Sequence, residues 1–114
     1  MSLDHVLFRQ GTPELLEDSY KELELVVEMM MLNPEISIFL SGHTDNQGKA
    51  SANLKLSEDR VKAVTEYLVS RGIKKKRISG KGYGGIKPRA SNADPETRKL
   101  NRRVEFTVHE QKQP

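Results

Sequence analysis

Apolar residues recur along this chain with two different periods, and the switches between them divide it into elements. Val6-Leu7-Phe8 is a short apolar run that reads as a strand, ended by Gly11. Leu16, Tyr20, Leu23, Val27 and Met30 then return at helical spacing and form one apolar stripe. Thr12-Pro13-Glu14 is a good helix start, with Thr12 as N-cap, Pro13 in the first helical position and Glu14 near the positive end of the dipole. Asn33-Pro34 stops this helix. Ile36, Ile38 and Leu40 alternate with Ser37 and Phe39, the mark of a strand with a buried face.

Residues 42–49 read as a loop. A second helix is expected from about Ser51 to about Arg71, with Leu54, Val61, Val64 and Leu68 facing inward and Gly72 as its C-terminal cap. Arg77 to Tyr83 reads as a glycine-weakened third strand. A loop from Gly84 to Pro95 leads to a helical turn through Arg98, and Val104, Phe106 and Val108 alternate in a last strand. The polar tail from Glu110 to Pro114 is expected to fray. The order β-α-β-α-β-(short α)-β predicts an α/β two-layer sandwich, a mixed four-stranded sheet covered by helices, in one domain over residues 1–114.

Composition narrows the possible chemistry. The chain has 114 residues, 35% hydrophobic and 31% charged, which describes a soluble domain with a modest core. A net charge of +3 favours anionic partners without naming one. With no cysteine, disulfides, thiol catalysis and thiolate metal sites are excluded. The longest apolar stretch, Leu25 to Leu32, is too short for a bilayer and contains Glu28. No signal peptide is visible, and Met1-Ser2-Leu3 reads as an introduced start, which leaves room for a targeting sequence upstream.

What remains is a set of polar landmarks that a core does not need. Gly42-His43-Thr44-Asp45-Asn46 stands at the end of the second strand. Asn53, Leu56, Ser57 and Arg60 follow at i, i+3, i+4 and i+7 on one helix face, expected to be distinct from the inward stripe. Arg98 and Asn101-Arg102-Arg103-Val104-Glu105 close the set. The crevice outside the carboxyl ends of the strands is the usual ligand site of such sheets, and Asp45 and Arg60 are expected to face each other across it.

In that order and spacing these motifs resemble the OmpA-like peptidoglycan-binding domain, shared by outer-membrane protein A, the peptidoglycan-associated lipoprotein and the flagellar motor protein MotB. The resemblance covers nearly the whole chain. It implies a noncovalent anchor in the periplasm of a Gram-negative envelope, attached to the outer membrane or envelope through an upstream region. It implies that Asp45 and Arg60 contact the diaminopimelate of the peptidoglycan stem, and that Thr44, Asn53, Leu56, Asn101 and Arg102 line or shape the pocket. The chemistry agrees: a carboxylate suits the ammonium of a free amino-acid head, and a planar guanidinium suits its carboxylate. No catalysis, cofactor, metal or nucleic acid is expected. Two positions depart from the pattern. Val61 stands where alanine often follows the arginine, and Thr97 where glycine often precedes Arg98; the second bears on one pocket wall.

Simpler and rival readings compete with this one. Asp45 could cap a turn with Asn46 and Gly48, and Arg60 could be an ordinary helix residue. His43 beside Asp45 would serve a peptidoglycan hydrolase, but no second histidine lies at ligand spacing and no nucleophile set is complete, so a structural hydrogen bond is the expectation. Lys74-Lys75-Lys76-Arg77 would serve a nucleic-acid binder, though no aromatic platform is interleaved with it. The run Gly80 to Gly85 lacks the spacing of a phosphate loop and reads as glycines at a strand end. Met29-Met30-Met31 is expected to pack the helix. Arg102 is expected toward the pocket, and Arg103 in a structural salt bridge.

Overall fold

The computed structural model describes residues 5–9, 12–86, 92–93 and 99–110. Four strands form one sheet: β1 (His5–Leu7), β2 (Ile36–Gly42), β3 (Ile78–Gly82) and β4 (Arg103–Glu110), in the order β1-β4-β2-β3. β4 runs antiparallel to both β1 and β2, whereas β2 and β3 are parallel, so the sheet is mixed as expected. A parallel pair needs a long crossover, and here that connection contains α2 (Ala50–Ser70). α1 (Ser19–Leu32) joins β1 to β2.

The helices share one face of the sheet. Ile36, Ile38, Leu40 and Gly42 of β2 are buried while Ser37, Phe39 and Ser41 are less so, the alternation of a one-sided core. Val104 of β4 pairs with Gly42 and is fully buried on that same face. Phe8, Leu23, Val26, Met30, Val64 and Leu68 complete the packing. Of the three consecutive methionines, Met30 is buried, Met29 packs at the core's edge and Met31 is exposed.

Several boundaries differ from expectation. α1 begins at Ser19, not after Thr12. The Thr12 hydroxyl does accept the Glu14 N–H at 3.1 Å, but the chain there forms a bridge between Phe8 and Leu15 instead of a helix. Ser19 ties the helix start to the sheet edge, its hydroxyl accepting the Leu7 N–H at 2.9 Å. With the helix starting later, Leu16 and Tyr20 fall outside the buried stripe and are exposed. Asn33 does end α1, donating its side-chain amide to the Met29 carbonyl.

In α2 the larger correction concerns which face is buried. Asn53, Ser57 and Arg60 are not on a separate face: with Val64 and Leu68 they make one buried line, while Leu54 is exposed. The third strand is shorter than expected because Lys75–Arg77 form a 3₁₀ turn. A second 3₁₀ turn, Lys99–Asn101, leads into β4; the expected helical turn through Arg98 falls outside the described residues, as do residues 1–4 and 111–114. Gly72 takes the left-handed cap after α2 with φ of 100°.

Candidate functional site

The polar landmarks converge at one end of the sheet. β2 and β3, being parallel, end together at Gly42 and Gly82; the amino end of β4 and the first turns of α2 lie beside them. α2 approaches closely because Gly42 and Gly82 have no side chains. A Cβ at Gly42 would collide with the Ser57 carbonyl, and one at Gly82 would lie 2.7 Å from the Glu58 nitrogen. The Ser57 hydroxyl then accepts the Gly84 N–H at 2.9 Å and donates to the Leu54 carbonyl.

Arg60 is the least expected member. Its side chain is fully buried, stacked 5.1 Å above the Phe8 ring. Nε donates to the Thr12 carbonyl at 2.9 Å, Nη1 to the His43 carbonyl at 3.0 Å and Nη2 to the Arg9 carbonyl at 3.0 Å. Burial lowers its pKa to about 10, against the opposing pull of Asp45 and with the help of Arg102, so it stays charged at neutral pH. A guanidinium has five N–H donors, so three bonds do not exhaust it.

Asp45 is buried as well, and its ion-pair partner is not Arg60. Oδ2 lies 3.3 Å from Nη1 of Arg102, and Oδ1 accepts the Gln47 N–H at 3.0 Å. Arg102 also reaches the Phe8 carbonyl at 3.4 Å. Asp45 therefore does cap a local turn while also facing the site. Thr44, Asp45, Asn53, Leu56, Arg60 and Arg102 together line a hollow of about 240 Å³, with Gln47 and Gly48. The two last were not nominated from sequence; their place in the short loop between Asp45 and Asn53 was the signal. Asn53 fixes that loop through a bond to the Gln47 carbonyl at 2.9 Å.

Asn101 does not line this hollow. It is fully buried and donates to the Asn92 side chain at 2.8 Å, which ties Asn92 to the turn that leads into β4. Arg102 lies on the pocket side, and Arg103 pairs with Glu105 at 2.6 Å, as its place in the strand implied. His43 is buried and stacked on Tyr83, with centroids 5.5 Å apart, and Nε2 is 4.0 Å from Glu105. Its main chain pairs with Arg103, 2.8 Å from N–H to carbonyl. Arg77 leaves the basic cluster for the fold, donating to the Met30, Asn33 and Ile36 carbonyls at 2.8, 2.8 and 3.0 Å. Two of these bonds satisfy carbonyls at the end of α1, beside the one that Asn33 makes to Met29. Among the described residues no three histidines or carboxylates gather as a metal site.

Comparison with known proteins decides the family, since the OmpA family profile matches residues 7–102. The chain belongs to the OmpA family. It is 38% identical over 104 residues to the peptidoglycan-binding protein ArfA of Mycobacterium tuberculosis, covering 91% of this chain and 32% of that one. It is 40% identical over 104 residues to outer membrane porin F of Pseudomonas aeruginosa, covering 90% of this chain and 30% of the porin. The chain thus spans about a third of these relatives. The fold is that of the peptidoglycan-associated lipoprotein from Burkholderia pseudomallei, with a TM-score of 0.87, 24% identity, and 93% and 90% of the two chains covered. The OmpA-family fold accounts for the mixed sheet and for the helix layer on one of its faces.

Proposed function

We propose that this OmpA-family domain binds peptidoglycan noncovalently through the diaminopimelate of its peptide stem, and so tethers an envelope protein to the cell wall from the periplasm. The observation that carries the reading is the pocket's charge set: one carboxylate, Asp45, and two guanidiniums, Arg60 and Arg102, around one small hollow. A free amino-acid head brings an ammonium and a carboxylate. The ammonium suits Asp45, whose oxygens keep acceptor capacity beyond Gln47 and Arg102. The surplus positive charge suits the ligand carboxylate, and Arg60 is already desolvated and fixed, so little ordering is left to cost affinity. Each charge-assisted bond is worth roughly 1.5–3 kcal/mol. ArfA's own description as a peptidoglycan-binding protein supports the same reading.

The test is pull-down with purified peptidoglycan. Asp45→Asn keeps the shape of the side chain and its acceptor for the Gln47 N–H but removes its charge; it is expected to abolish pull-down in a domain that still melts cooperatively, at a lower temperature because Arg102 loses its ion pair. A stem with lysine in place of diaminopimelate lacks the distal carboxylate and is expected to bind at least tenfold more weakly by calorimetry. Retained pull-down by Asp45→Asn together with equal affinity for both stems would overturn the proposal.

A further inference from the structure

Leu54 and Ile86 are large apolar side chains that the fold leaves 46% and 75% exposed. They stand on one groove, a hollow of about 420 Å³ whose lining also includes Ala50 and Tyr83. That is within the size range of small-ligand clefts. The Tyr83 ring is held by its stack on buried His43. The groove shares Gly48 and Asn53 with the charged pocket, so one ligand can occupy both hollows. The ridge between them is firmly built. Thr44 donates its N–H to the Gly84 carbonyl at 2.9 Å, and a Cβ at Gly85 would come within 2.7 Å of the Asp45 carbonyl.

We propose that this groove is a second subsite, which receives the two D-alanine residues that follow diaminopimelate in an uncleaved stem. The inference rests on the diaminopimelate reading above. With the free head of that residue in the charged pocket, two branches leave its other end. One is the γ-glutamyl residue, which carries a carboxylate; the other is the D-alanine pair, which carries methyl groups. The groove's apolar walls, Ala50, Leu54, Tyr83 and Ile86, suit the two methyl groups of the alanine pair. Asn46 and Ser51 on the same lining provide neutral donors for the terminal carboxylate of the second alanine.

Calorimetry with two stem peptides tests this, one ending at diaminopimelate and one continuing through both D-alanines. Each buried methyl contributes roughly fourfold in affinity, so the longer stem is expected to bind about tenfold more tightly to the wild type. Leu54→Ser with Ile86→Ser is expected to erase that advantage and leave the affinity for the shorter stem unchanged. Both side chains are exposed, so the double variant is expected to melt with the wild type. Equal affinity of the wild type for the two stems, or an equal loss for both in the variant, overturns the second subsite and leaves the diaminopimelate reading standing. Failure of the wild type to bind either stem overturns both.

Discussion

The Arg60 guanidinium donates to the His43 carbonyl at 3.0 Å, which bonds the middle of α2 to the residue that follows β2. Two further bonds, to Arg9 and Thr12, reach across about 50 residues to the segment after β1. The cation proposed to meet the ligand is therefore also a structural clamp over three segments of chain.

That double role predicts that Arg60→Ala destabilises the domain strongly. Three carbonyls lose a charged donor in a buried place, and the expected loss is about 3–5 kcal/mol in urea denaturation. Arg60→Lys retains charge but not the three-way geometry and is expected to fall between the two. A wild-type urea midpoint for Arg60→Ala would contradict the clamp. Loss of binding in that variant would not distinguish contact from unfolding, which is why the binding test uses Asp45.

Gly42 allows α2 to lie against β2. A Cβ there meets the Ser57 carbonyl and sits 2.7 Å from a Val61 methyl. Gly42→Ala is expected to cost about 1–3 kcal/mol through overpacking, read as a lower melting temperature. A Gly48→Ala control meets no atom within 4 Å but has a φ of 85°, so its cost is backbone strain alone, about 1 kcal/mol.

Arg77 separates the structural from the nucleic-acid reading of the basic cluster. Its three bonds to the end of α1 and the start of β2 predict that Arg77→Ala loses about 2–3 kcal/mol of stability. Lys74, Lys75 and Lys76 are exposed, and their joint replacement by glutamine is expected to leave the fold and peptidoglycan pull-down unchanged. A salt-sensitive affinity for DNA in the wild type that disappears with the three lysines would reverse this conclusion.

The Glu24 carboxyl accepts a hydrogen bond from the Tyr67 hydroxyl and pairs with Arg71 at 2.9 Å. These contacts, the Tyr67 bond first, hold its pKa below its ordinary 4.5. A depressed carboxylate pKa stabilises the fold above the unfolded value, and that contribution is lost as pH falls through the folded one. Wild type is thus expected to melt slightly above Glu24→Gln at pH 7, with the gap closing below about pH 4.5. A gap that stays constant from pH 7 to pH 3 would show that the ionised carboxylate contributes nothing.

Much of this protein was determined locally, and so could be read from its residues. Strand alternation in Ile36 to Leu40, the stop at Asn33-Pro34 and the cap at Gly72 depend on neighbours in sequence, and each stands where the pattern put it. The spacing of the polar landmarks identified the family and brought Thr44, Asp45, Asn53, Leu56, Arg60 and Arg102 to one pocket. Burial was decided only in three dimensions. Sequence period places Asn53, Ser57 and Arg60 on one face but cannot say that this face continues the line of Val64 and Leu68 into the core. A buried arginine is tolerable only where three carbonyls from distant segments meet it, and that meeting is a tertiary event. The same holds for Asp45, whose partner is Arg102 across 57 residues, and for Thr12, where a good helix signal yields to the bridge between Phe8 and Leu15.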